Sequence, residues 1–382
     1  MRKLYFNYKK SVKLYKKEMK SQILNGLGNL YSGIFNNYEK AVGFYEKAAK
    51  MGNAEAQNSL GELYYYGHGV EQNYEKALEI YRKAAQLGNT SAQNALGNAY
   101  IEGKGVEENY DEALIWYERA AEKGHPNALY YLGRLQLIGR GNYQDTDKSV
   151  ELIKRAAEKG HSDAQYFLGS LYYRGERLEK DYKKAAKWYE KAAENGNIDA
   201  EYSLGILYYN GEGVDENYKE SIKWYKKAAD HGSVQAQSTL GHIFREGGNY
   251  EEASKWYKMA AIQGNISSQC YLGEMYAEGM GIEQDYEEAI KWYKMAAIHG
   301  DISAQCALGD LYLEMTKLEH NYEEAATWFK MVACKGNTYA QNMLGYLYEI
   351  GLGVEQDYLK ALEYYEMIEE ESRKRTLLCQ HY

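Results

Sequence analysis

Along residues 54–89 the apolar positions fall into two stripes at helical spacing. Ala56, Leu60, Leu63 and Tyr64 form the first; Tyr74, Ala77, Tyr81, Ala84 and Ala85 form the second. Gly67 and Gly69 interrupt the pattern between them, where a tight reversal favours a residue without a side chain. Gly88 closes the second stripe at the position of a left-handed helix cap, and Asn89 is placed to cap the helix that follows. The segment therefore predicts two short amphipathic helices. Helices of that length cannot bury their stripes alone, so the unit must lean on neighbours.

The neighbours are copies of it. A Leu-Gly pair recurs at Leu27, Leu60, Leu96, Leu132, Leu168, Leu204, Leu240, Leu272, Leu308 and Leu344. The steps are 33 residues, then 36 five times, then 32, then 36 twice. This period predicts an all-α fold, a right-handed αα-hairpin solenoid of about ten repeats of 32–36 residues. Residues 21–368 are expected to be the tandem repeats, and residues 369–382 a charged tail. Residues 1–20 are expected to be a basic, degenerate N-terminal helix that caps the stack, because residues 7–17 imitate the segment that starts at Asn37. The other reading of that stretch is a basic amphipathic helix on an anionic surface.

Residues Ala56–Val70 and Ala200–Val214 follow A-x-x-x-L-G-x-x-Y-x-x-G-x-G-V. Residues Asn73–Gly88 and Asn217–Gly232 follow N/D-Y-x-x-A-x-x-W-Y-x-K-A-A-x-x-G, with Ile80 in the tryptophan slot of the former and Ser221 in the first alanine slot of the latter. In these motifs the chain resembles the Sel1-like repeat family, relatives of the tetratricopeptide repeats. The resemblance implies a non-catalytic scaffold or adaptor for protein–protein interaction, with first helices lining a concave groove that holds a peptide or partner helix. Carried over to this sequence, the groove would run through Asn58, Glu62, Asn94, Asn98, Tyr130, Arg134, Tyr166, Ser170, Tyr173, Tyr202, Ile206, Tyr209, Ser238, His242 and Arg245. A cysteine-rich branch of the family implies the alternative, a β-lactam-binding or hydrolysing enzyme. That branch carries regular cysteine pairs and a secretion signal, and this sequence has neither.

A helical wheel agrees on the face. With Leu60 turned inward, Glu55, Asn58, Glu62 and Tyr65 point away, and equivalent positions vary between repeats while the apolar stripe is kept. Tyr130, Tyr166 and Tyr202 share one of these slots in consecutive repeats, and Tyr173 and Tyr209 share the neighbouring one. Tyrosine combines contact area with a hydrogen-bonding tip, so this ladder is the expected docking patch. The structural alternative is that the rings cover gaps between first helices. The six tryptophans, from Trp116 to Trp328, occupy one slot of the second helix and are expected to pack between helices.

Charge narrows the partners. The net charge is −9, yet residues 1–20 hold eight Lys or Arg against Glu18, a local +7 that leaves −16 elsewhere. An acidic body disfavours general nucleic-acid binding, which rests on phosphate neutralisation. No apolar run reaches membrane-spanning length, and lysines break any signal-peptide core, so a reduced cytoplasmic chain is expected. Cys270, Cys306, Cys334 and Cys379 form no disulfide framework or metal-ligand spacing. Each Gly-x-Gly follows a predicted helix rather than a strand, so these are turns and not phosphate cradles. No catalytic, cofactor-binding or metal residue is expected.

Overall fold

The computed structural model describes residues 2–139, 146–315 and 320–379, with side chains over residues 9–139, 147–315 and 321–368. Twenty helices follow one another in ten pairs, and no strand occurs among the described residues. The pairs are α1 (Arg2–Gly33) with α2 (Tyr38–Lys50), α3 (Ala54–Tyr66) with α4 (Tyr74–Gln86), and α5 (Thr90–Glu102) with α6 (Tyr110–Glu122). Then come α7 (Pro126–Ile138) with α8 (Thr146–Glu158), α9 (Ser162–Arg174) with α10 (Tyr182–Glu194), and α11 (Ile198–Asn210) with α12 (Tyr218–Asp230). The last are α13 (Val234–Glu246) with α14 (Tyr250–Ile262), α15 (Ile266–Glu278) with α16 (Tyr286–Ile298), α17 (Ile302–Glu314) with α18 (His320–Ala333), and α19 (Thr338–Ile350) with α20 (Tyr358–Cys379).

Two compact units divide the chain. One comprises Met1–Ala200 with Gly211–Asp215, the other Glu201–Asn210 with Glu216–Tyr382. Within each, helices pack on their sequence neighbours: α3 on α4 and α4 on α5 in the first, α15 on α16 and α16 on α17 in the second. This is the ten-repeat helical solenoid that the period predicts.

Local chemistry sets the boundaries. Asn53 caps α3 by accepting from the Ala56 amide at 2.8 Å, and Asn73 caps α4 by accepting from Lys76 at 2.8 Å. Gly67 ends α3 at φ +75°, the left-handed region where a β-carbon is strained. Gly69 has a second reason to be glycine, since a β-carbon there would lie 2.5 Å from the Tyr38 carbonyl carbon. Gly105, Gly213, Gly281 and Gly353 meet Tyr74, Tyr182, Tyr250 and Tyr322 in the same way, so these turns are pressed onto the preceding repeat.

A buried glutamine ties neighbouring repeats. Gln57 Nε2 donates to the Ala49 carbonyl at 3.3 Å, Gln93 to Ala85 at 3.2 Å and Gln237 to Ala229 at 3.0 Å, and four further repeats do the same. Each adds a second donor to a helix-end carbonyl that already accepts the amide of the following glycine, as Gly88 N–H to Ala85 at 3.0 Å. Repeat 198–233 carries Glu201 instead, fully buried, with Lys227 Nζ at 3.1 Å and His231 Nδ1 at 2.8 Å from its carboxylate.

Residues 2–20 are helical and continue straight into the first repeat as part of α1. The tryptophans pack between helices at the rim of the core: Trp292 is buried, and Trp116, Trp188, Trp224, Trp256 and Trp328 are half-buried, some under cations such as Lys191 over Trp188. The sealed position is the next residue, held by Tyr81, Tyr117 and Tyr257 and by Phe329. One step along a helix is about 100° of rotation, enough to move the slot from the rim to the centre. Residues 140–145 and the Cys379 side chain lie outside the described residues.

Candidate interaction groove on the first-helix face

The Leu-Gly pair builds the floor of this face. A β-carbon on Gly97 would lie 2.5 Å from Cε1 of Tyr117, and one on Gly61 2.6 Å from Cε1 of Tyr81. Glycine therefore opens a window through which the second-helix tyrosine crosses the first helix. Its hydroxyl emerges beside the residue that follows the glycine. Tyr117 donates to Asn98 Oδ1 at 2.6 Å, Tyr45 donates to Asn29 Oδ1 at 2.8 Å, and the Tyr189 hydroxyl donates to Ser170 Oγ at 3.3 Å. Tyr257 and His242 Nδ1 share a hydrogen bond at 3.0 Å. Burial pushes the Tyr117 and Tyr257 phenols far above their ordinary range, so these hydroxyls stay protonated.

In the first unit, Asn98 and Arg134 come together on a cavity of about 340 Å³ walled by Tyr117, Tyr131, Ile101 and Glu102. The Arg134 guanidinium lies over the Tyr130 and Phe167 rings, at 5.7 and 5.9 Å. Glu62 is exposed and accepts from Asn58 Nδ2 at 2.9 Å. Tyr166 is half-buried against Tyr189, and Ser170 donates to the Tyr166 carbonyl. Tyr173 donates to Glu212 at 2.9 Å, and burial, with this bond adding to it, pushes its phenol up to about 12.

In the second unit, Tyr202 lies half-buried on Tyr225, Ile206 is half-buried, and Tyr209 is exposed beside Tyr218. Ser238 Oγ accepts from Ser268 at 3.1 Å. Arg245 grips both carboxylate oxygens of Glu274 at 2.9 Å and covers the Tyr271 ring. His242 packs edge-on to Tyr271, and burial lowers its pKa, with Arg245 adding to the effect.

Three expected surface residues are buried: Asn58, Asn94 and Tyr130. Tyr65, which the wheel also turned outward, is buried as well, under the rings of Tyr66 and Tyr74. A wheel treats a helix as if alone, whereas the neighbouring repeats close over these slots. Tyr130 lies 4.7 Å from the His161 ring and is further covered by Phe167. The tyrosine ladder thus reaches solvent only at its later rungs.

The expected set also stopped short. Repeating the slots of Ser238 and His242 by one period gives Cys270 and Glu274, and another period gives Cys306 and Asp310. Cys270, Glu274 and Asp310 line a cavity of about 480 Å³ with Glu278, Tyr293 and Glu314. The period alone could have found them. Burial raises the pKa of Glu274 and of Asp310, and pushes the Cys270 thiol to about 12 and the Cys306 thiol to about 11. Cys270, Cys306 and Cys334 are free thiols. Among the described residues no group of His, Cys, Asp and Glu is placed to hold a metal ion, and no helix is long and apolar enough to cross a membrane.

Helical hairpins stacked at this period, with a variable face over a fixed floor, define a helical-repeat solenoid. The Sel1 repeat model matches ten consecutive segments, from residues 24–53 to residues 338–369, and the chain belongs to that family. It is similar to a protective antigen present in uropathogenic Escherichia coli strains, at 32% identity and TM-score 0.71, over 93% of this chain and 79% of that one. It is also similar to a Sel1 repeat protein from Oxalobacter formigenes, at 31% identity and TM-score 0.58, over 79% of this chain and 90% of that one. No curated protein matches it. Folds of this family commonly mediate protein–protein interaction and are typically non-enzymatic scaffolds.

Proposed function

We propose that this chain is a non-catalytic adaptor that holds a peptide or helix of a partner protein along its first-helix face. One observation carries the reading. The slots after each Leu-Gly differ between repeats (Asn98, Arg134, Ser170, Ile206, His242, Glu274), while the floor beneath them is a tyrosine ring in all but one, Ile153 taking its place under Arg134. A fixed floor with a variable surface is what selection for a particular partner leaves on a repeat array.

Asn58, Asn94 and Tyr130 shape the groove from within. Glu62, Asn98, Arg134, Tyr166, Ser170, Tyr173, Tyr202, Ile206, Tyr209, Ser238, His242 and Arg245 are the contact set. The partner is a protein rather than nucleic acid, in keeping with the net charge of −9, and the working compartment is the cytoplasm. Nothing in the groove favours the β-lactam alternative. The cysteines it would pair are free thiols, and Cys270 and Cys306 are held protonated.

Affinity capture from the source cell's extract tests the adaptor reading, comparing the wild-type chain with an Arg134→Glu, Tyr209→Ala variant of unchanged helicity. Loss of one or a few proteins from the variant's eluate supports it. Identical eluates overturn it.

A further inference from the structure

In nine repeats the third residue of the first helical segment, from Ala56 and Ala92 through Ser268 to Ala340, is fully buried. The tenth, Ile23 on α1, is 60% exposed. Leu30 is likewise exposed at the slot where Leu63, Leu171 and Leu207 are buried. With Tyr15 and Met19, both also exposed, these residues make one apolar stripe along α1. Lys13, Lys16 and Lys20 run along its flank, all exposed.

A complementary departure occurs on α20. Its fifth residue, Leu362, is 52% exposed at the slot where Leu78, Leu114 and Val150 are buried. One turn earlier Leu359 is exposed where other repeats carry Glu75, Asp111 or Glu287. Glu363 and Glu366 share that face and are exposed.

Inside the chain these two kinds of face are partners. Each of α2, α4 and α6 lies against the first helix of the next repeat, and the end of one meets the start of the other, as the Gln57–Ala49 and Gln93–Ala85 bonds record. We propose that α20 of one copy stacks on α1 of a second copy, head to tail, repeating between molecules the packing made within each. In that order Leu362 falls near Leu30 of the second copy. Glu366 falls near its Ile23 and Lys20, so the acidic end of one stripe meets the basic end of the other.

Isoleucine in a slot that elsewhere takes alanine or serine sets the helices farther apart than inside the chain. One helix on one helix is a small contact, of the transient class. Pairing α1 with α1 would instead oppose two lysine rows. A heterologous contact leaves one free face on each end of a dimer, so larger assemblies follow at higher concentration.

Sedimentation velocity of the full chain over a range of concentrations tests this. The average mass is expected to rise with concentration at low salt and to fall back at about 0.5 M salt, where charge attraction is screened. Ile23→Glu and Leu362→Glu, both at exposed positions, should each stay monomeric with unchanged thermal melts. Mixed one to one they should form a dimer and nothing larger, because each supplies the face the other lacks. A wild-type chain that stays monomeric overturns the proposal, and so does a Leu362→Glu variant that still dimerises. Binding of a monomeric wild-type chain to anionic vesicles would assign the α1 face to a lipid surface instead.

Discussion

The Tyr117 hydroxyl reaches Asn98 Oδ1 at 2.6 Å only because Gly97 leaves the ring a passage across α5. A core side chain of the second helix thereby sets the polarity of the surface on the far side of the first. Tyr117→Phe should keep the packing and lose the bond, costing about 0.5–1.5 kcal/mol. A double-mutant cycle with Asn98→Ala in urea denaturation measures the coupling, which should vanish once either partner is gone.

The passage itself makes a sharper demand. Gly97→Ala should destabilise by roughly 1–3 kcal/mol or more, since its β-carbon would overlap the Tyr117 ring. Gly43, on α2 and with no atom within 4 Å of its would-be β-carbon, is the control. Alanine there should be neutral or stabilising by about 0.5–1 kcal/mol. Thermal melts followed by circular dichroism compare the two.

The glutamine tie has its own signature. Gln93→Leu should remove the side-chain donor to the Ala85 carbonyl, which keeps the Gly88 amide, at a cost of about 0.5–1.5 kcal/mol. Stability transmitted between neighbours should then loosen at one joint first. Hydrogen exchange read by mass spectrometry should show early exchange in residues 84–96, ahead of repeats farther along the chain.

Two helix caps respond to acid. His125 Nδ1 accepts from the Ala128 amide and His161 Nδ1 from Ala164, so both must be neutral to cap. Burial lowers the pKa of each in the folded chain; His161's neighbour Asp163 partly offsets this, and His161 further lowers His125. The unfolded chain, with the ordinary histidine value of about 6.5, therefore binds protons first as pH falls. The caps' contribution is whole above that value and is lost below it, down to the folded-state pKa. Most repeats use Asn in this place, for example Asn53 and Asn89. Melts of a His125→Asn, His161→Asn variant at pH 7.5 and 5.5 should differ less than those of the wild type.

The architecture was legible because its signals are local and repeated. Asn53 and Asn89 cap where the stripe begins, Gly67 stops where it ends, and the Leu-Gly register counts the repeats. What escaped depended on neighbours. Tyr130 is turned outward on its own helix and is covered by His161 and Phe167 of the next repeat. Trp116 and Tyr117 are adjacent aromatics with equal claim to the core, and only the Gly97 passage decides for tyrosine. Cys270, Glu274 and Asp310 were within reach of the period, but their cavity is visible only in three dimensions.

The most direct test of the central claim is photo-crosslinking to the captured partner. A photoreactive phenylalanine would replace Ser170, Tyr209 or His242 on the first-helix face, and Lys187 or Lys258 on the exposed side of second helices. The account predicts partner adducts from the first three positions and none from the lysine positions. Equal adducts from both sets, or adducts from the lysine positions alone, would contradict it.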